Sequence, residues 1–81
     1  MSRGSIGGEG TLSTADRRIL QHLTASGADY PALIASNTGL HIPLVERRCE
    51  MLEAAGLIQP VTGEVVYRLT EYGRQVARSG F

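Results

Sequence analysis

Apolar residues recur at helical spacing through the first two-thirds of the chain and then in short β-branched runs. Ile19, Leu20 and Leu23 share one helical face, with Ser13 ahead of them as an N-cap and Asp16 three residues on as the acidic half of a capping box. Ser26-Gly27 ends that run. Asp29 then caps a short helix through Tyr30, Pro31 and Ile34, with proline in the tolerated first turn. This helix stops near Thr38-Gly39, where Gly39 supplies a left-handed C-cap. Pro43 lies in the first turn of a third helix, about 42–55, which Gly56 closes. Positions 57–61 and 65–69 are apolar or β-branched runs around Thr62-Gly63-Glu64, the pattern of a β-hairpin. Pro60 confines its strand to a short or edge position. Thr70 and Glu71 begin a last helix through Tyr72 and Val76, fraying at Ser79-Gly80. The predicted order is helix, helix, helix, hairpin, helix, an α+β domain.

Composition bounds this picture. Eighty-one residues allow one core, and a chain this short buries only roughly 60% of its unfolded surface, so the fold is expected to be economical or oligomeric. Four of the ten glycines fall in positions 1–11, which read as a flexible tail before a domain at 12–78 and a short tail at 79–81. The run Gly7-Gly8-Glu9-Gly10 has no strand before it and no Gly-Lys-Ser/Thr after it, so it is no phosphate loop. A single cysteine excludes a disulfide framework and a cysteine-rich zinc site. No apolar run approaches the ~20 residues that span a bilayer. The N-terminal stretch lacks the apolar segment of a signal peptide, so the expected compartment is a reducing cytoplasm.

The second and third helices carry the most specific pattern. Ala35, Gly39 and Val45 stand at relative positions five, nine and fifteen of a helix-turn-helix. The small residue lets the helices approach, the glycine makes the turn, and the buried valine fixes the crossing. Ile34 and Leu40 add inner contacts. With Ile34-Ala35…Gly39-Leu40, Arg47-Arg48-Cys49…Leu52-Glu53…Gly56-Leu57-Ile58 and Tyr67-Arg68-Leu69-Thr70…Gly73 in this order, the sequence resembles the winged helix-turn-helix family of prokaryotic transcription regulators. The resemblance is in particular to the archaeal and haloarchaeal phage-repressor-like members, over about 13–77. It implies sequence-specific binding of double-stranded DNA, the third helix in the major groove and the wing at 62–64 on backbone or minor groove. The implied contacts are His41, Pro43 and Leu44 at the helix tip, then Glu46, Arg47, Arg48 and Glu50, with Arg68 beside the wing. Arg17 and Arg18 in the first helix and Gly63 in the wing stand in a second rank of backbone contacts. A homodimer is implied too, because one recognition helix reads few base pairs.

Charge changes the picture at this point. The eight cations, all arginine, balance eight carboxylates. With Val45 at the origin of a helical wheel, Cys49, Leu52 and Ile42 flank it on the core side. The arc beyond carries Glu53, Glu46, Glu50, Pro43 and Arg47, and positions 41–54 hold two arginines against three glutamates, a net −1. Carboxylates repel phosphates, although a glutamate also accepts from cytosine N4. Arg48, beside Leu44, Met51 and Ala55, either reaches a phosphate or snorkels over the core edge. Arg17-Arg18 either touch backbone or belong to a solvated face with Asp16. An all-arginine cation set suits guanine and phosphate, and codon preference yields it equally well. Arg68, Arg74 and Arg78 against Glu64 and Glu71 give the C-terminal third a net +1.

Cys49 reads as a small core residue, the sharper alternative being a redox sensor. His22 and His41 lack a cluster at metal spacing and suit surface or cap roles, and Tyr30, Tyr67 and Tyr72 suit the core edge. No nucleophile has a base at hand, so neither catalysis, a metal nor a cofactor is expected. The last helix presents Tyr72, Val76 and Phe81 for pairing with a second copy, or else packs on its own first helix. Against the DNA reading stands a winged helix that docks a protein partner through its acidic third helix.

Overall fold

The computed structural model describes residues 12–80. The expected tail at 1–11 and Phe81 lie outside the described residues. The elements are α1 (Thr14–Ser26), β1 (Ala28–Asp29), α2 (Pro31–Thr38), α3 (Ile42–Ala54), β2 (Ile58–Pro60), β3 (Tyr67–Leu69) and α4 (Glu71–Arg78). Helix α1 begins where its capping box requires. The Ser13 hydroxyl accepts from Asp16 N at 3.0 Å, and the Ser13 amide donates to Asp16 Oδ2 at 2.9 Å. Gly27 and Gly39 end α1 and α2 with positive φ, Gly39 in the left-handed region at φ 78° and ψ 12°, where a Cβ would be strained.

The helix-turn-helix and the hairpin close around one core. Ile19, Leu20 and Leu23 of α1 meet Ile34 and Ala35 of α2, then Val45, Cys49 and Leu52 of α3, with Leu57, Ile58 and Leu69 beneath. Sequestering an aliphatic side chain of this size contributes about 1.5–3 kcal/mol. Ala35 and Val45 are both buried and Gly39 turns the chain between them, as the spacing predicts. The hairpin pairs β2 with β3 antiparallel, Ile58 opposite Leu69 and Pro60 opposite Tyr67, which leaves Pro60 on an edge strand. Helix α4 lies against α1 and β3. Its N-cap Thr70 accepts from Gly73 N at 2.9 Å and donates to the Gly56 carbonyl at 2.6 Å, while Gly73 meets the Leu57 backbone with no room for a side chain. The whole is an α+β winged helix.

Several expectations change. A short strand, β1, precedes α2 and pairs with β3, Ala28 opposite Arg68, so the sheet has three strands in the order β1-β3-β2. Asp29 belongs to that strand and is not the cap of α2: the N-cap is Tyr30, without a side-chain cap bond. Asp29 instead accepts from the Tyr30 amide at 2.9 Å and lies 2.7 Å from His22 Nε2. The strands of the hairpin are shorter than 57–61 and 65–69, and the wing loop widens, with Val61 N donating to Val66 O at 2.8 Å and Val65 74% exposed. Ile42, placed by the wheel on the core side, is 45% exposed, at the rim of an open groove between α2 and α3. Val76 packs against the core, so it does not serve an outer face with Tyr72.

Candidate nucleic-acid interface

Helix α3 presents one continuous outer arc. Pro43, Glu46, Arg47 and Glu50 follow the i, i+3, i+4, i+7 spacing of a single helical face and are all exposed. Among the described residues Glu46, Arg47 and Glu50 form no ion pair. His41 stands at the N-cap position without a side-chain cap bond, exposed at the tip of the motif. Leu44 is half-buried on the flank. An open apolar groove between the starts of α2 and α3 is lined by Ala32, Ala35, Ser36, Leu40, His41, Ile42 and Pro43.

Arg48 departs most from expectation. Its guanidinium neither faces outward nor lies loosely over the core edge: Nε meets Asp16 Oδ1 at 2.7 Å and Nη2 meets Oδ2 at 2.8 Å, a bidentate clasp between α3 and α1. Asp16 is 1% exposed, so it salts no solvated face around Arg17 and Arg18. Burial pushes the Asp16 carboxyl up, but the bonds from Arg48 and Ser13 together outweigh it and hold the group below its ordinary range. The same pairing raises the Arg48 guanidinium further above its already high value. Arg48 therefore ties α3 to α1, and Arg47 is the cation left on the outer arc.

Arg17, Arg18, Arg68 and Arg74 stand on other elements. Arg17 Nη1 donates to the Leu12 carbonyl at 3.1 Å, and Arg18 reaches the Thr38 carbonyl at 3.4 Å, at the C-terminal end of α2. Arg68 is exposed on the central strand. With the Gln59 amide in the orientation that lets its oxygen accept, it takes bonds from Arg68 Nε at 3.1 Å and Nη2 at 3.2 Å, which ties the guanidinium to the neighbouring strand. Gly63 turns the wing at φ 79°, and Tyr30 Oη donates to Glu64 Oε1 at 3.3 Å, holding the wing tip toward the start of α2. Arg74 pairs with Glu71 at 3.1 Å on the surface of α4.

The local field is negative. The Cys49 thiol is pushed up to about 11, by burial first and then by Asp16, Glu46 and Glu53. Burial, followed by charges that include Glu53, Glu50 and Glu46, likewise pushes the Tyr67 phenol up. A buried thiol of this kind is neutral at physiological pH, which removes the redox-sensor alternative for Cys49. Among the described residues no group of three His, Cys, Asp or Glu side chains is placed to hold a metal ion. No helix there is long and apolar enough to cross a membrane.

Sequence reasoning missed two features that shape this face. The Asp16–Arg48 clasp joins residues 32 apart, and only the capping box hinted that Asp16 has a fixed role. The Gln59 brace on Arg68 follows from strand register, Gln59 opposite Arg68, which the hairpin pattern carries once its turn is known.

Residues 11–78 match the model of a family described as "Uncharacterized protein conserved in archaea (DUF2250)", and the chain belongs to that family. The archaeal character agrees with the resemblance; the model names no phage-repressor group. No curated protein matches the chain. Among solved structures it is similar to ligand-free NadR, with a TM-score of 0.78, 21% identity, and coverage of 88% of this chain and 52% of that one. It is similar too to RV1404 from Mycobacterium tuberculosis, with a TM-score of 0.76, 26% identity, and coverage of 85% of this chain and 50% of that one. The chain thus spans about half the length of these relatives.

Proposed function

We propose that this protein is a DNA-binding transcription regulator that sets α3 in the major groove of a duplex, with the 62–64 wing alongside. The observation that supports it most is the α2-turn-α3 unit, whose outer arc is exposed and whose orientation is held by the Arg48–Asp16 clasp. In this reading His41, Pro43, Leu44, Glu46, Arg47 and Glu50 face base edges and adjoining backbone. Arg68, braced by Gln59, grips phosphate beside the wing, and Arg18, Arg17 and Gly63 lie in the second rank. Arg48 acts through the position of α3 and not by touching DNA. A homodimer places two such helices on successive turns of one duplex, and the cytoplasm is where chromosomal DNA is met.

Binding with so few free cations is modest and salt-sensitive. Titration of fluorescent duplex with the full chain across a salt series tests the reading. Affinity is expected to fall steadily as salt rises, and Arg47→Ala and Arg68→Ala each to lower it and flatten the salt slope by about one. Folded protein that leaves duplex unbound at low salt would refute it.

One observation favours a second reading. With Arg48 neutralised by Asp16, the solvent side of α3 offers Glu46, Glu50 and Glu53 against Arg47, a face suited to a basic protein partner. Under that reading Glu46→Lys or Glu50→Lys abolishes a protein complex and leaves fold and stability unchanged.

A further inference from the structure

We infer that the outer arc of α3 reads cytosine: Glu46 and Glu50 accept from cytosine N4 amino groups two base steps apart, and Arg47 between them donates to guanine or to a flanking phosphate. This rests on the DNA-binding reading above and names the chemistry that reading leaves open. The placement carries it. Glu46 and Glu50 are one helical turn apart, about 6 Å along the axis, against about 6.8 Å for two steps of one DNA strand. Both are exposed on the face opposite the buried Val45, and Arg47 shares that face. In the major groove cytosine alone presents an amino donor without an adjacent acceptor, and guanine presents two acceptors that fit a guanidinium. Two acceptor side chains and one fork of donors therefore select G·C pairs, the cytosines under the glutamates.

The same carboxylates set a penalty on every other sequence. Where no N4 amino group meets it, a glutamate near the groove floor is desolvated without a partner and repels the phosphates on either side. Discrimination thus comes as much from rejection as from attraction, with Arg68 and Arg18 supplying the general pull toward backbone. Ile42, 45% exposed beside Pro43, adds an apolar contact for a thymine methyl at the edge of the same site.

The test is selection from a pool of random duplexes with the full chain at low salt, followed by competition with the selected site. Retained duplexes should be enriched in two cytosines separated by one base, and changing either to thymine should weaken binding about tenfold. Glu46→Gln and Glu50→Gln should each raise affinity for random duplex about fivefold at low salt while losing the preference for cytosine under the altered residue. Retained duplexes without cytosine enrichment, or glutamine variants that keep the wild-type preference, would overturn this inference and leave DNA binding standing. Failure to retain any duplex would remove both.

Discussion

Replacing Arg48 with alanine exposes what holds α3 in place. Asp16 is 1% exposed and accepts from Arg48 at 2.7 and 2.8 Å and from Ser13 N at 2.9 Å. The variant leaves a buried carboxylate with the Ser13 amide as its remaining partner from that set. Removing one member of a buried pair costs about 3–5 kcal/mol; because Arg48 keeps 22% of its side chain exposed, water replaces part of the loss and the expectation falls to about 2–4 kcal/mol. A domain of this length has on the order of 4–12 kcal/mol in all, so the urea midpoint should drop by about 2 M at a slope near 1–1.5 kcal/mol per M. Asp16→Asn should cost less, since the amide still accepts from Ser13 N and Arg48 still reaches solvent. The double variant should cost less than the two singles together by about 1–3 kcal/mol. Equilibrium urea unfolding of all four proteins, followed by circular dichroism, makes the measurement. A loss below about 0.5 kcal/mol for Arg48→Ala, or strict additivity, would refute the clasp as the anchor of α3.

Because the folded Asp16 carboxyl titrates below its unfolded value, its contribution is present above about pH 4 and is lost as pH falls through the folded value. Acid titration of stability should therefore separate wild type from Asp16→Asn above that range and bring them together below it; curves that stay parallel would contradict this. Gly73→Ala forces a Cβ into the Leu57 carbonyl oxygen, so despite the ~1 kcal/mol of added helix propensity it should destabilise by about 1–3 kcal/mol, and an unchanged melting curve would show that α4 simply shifts. Gly39→Ala meets no neighbouring atom and should lose only about 1 kcal/mol, through its left-handed backbone. The Cys49 thiol, fully buried and pushed up to about 11, should react with an aromatic disulfide at pH 8 only as fast as the protein opens; rapid labelling of folded protein would place it nearer the surface.

Local chemistry in the sequence was enough for most of the scaffold. The Ser13–Asp16 capping box, the glycines at 27 and 39 and the proline at 43 each act within a few residues, and each element begins or ends where they stand. The spacing of Ala35, Gly39 and Val45 carries the helix pair for the same reason. What stayed hidden depends on packing between distant segments. Strand β1 has two residues, and its pairing with Arg68 and Tyr67 exists only once the hairpin is in place. The wheel treats every position of α3 alike, yet in the first turn Val45 is buried while Ile42 stays 45% exposed. Periodicity put Arg48 on the apolar flank, free to reach a phosphate or to lie over the core edge, and only the approach of α1 supplies Asp16 as its partner. The candidate interface was thus legible as a helix face, while the partition of its arginines between anchor and outer arc was not.

The most direct test of the central claim is a nitrogen–proton correlation spectrum of labelled protein during titration with duplex DNA at low salt. Amide shifts should concentrate at 41–50 and in the wing at 62–64, with the amides of α4 nearly still. Shifts gathered on α4 or scattered without a focus, or a spectrum of folded protein that duplex leaves unchanged, would contradict the account.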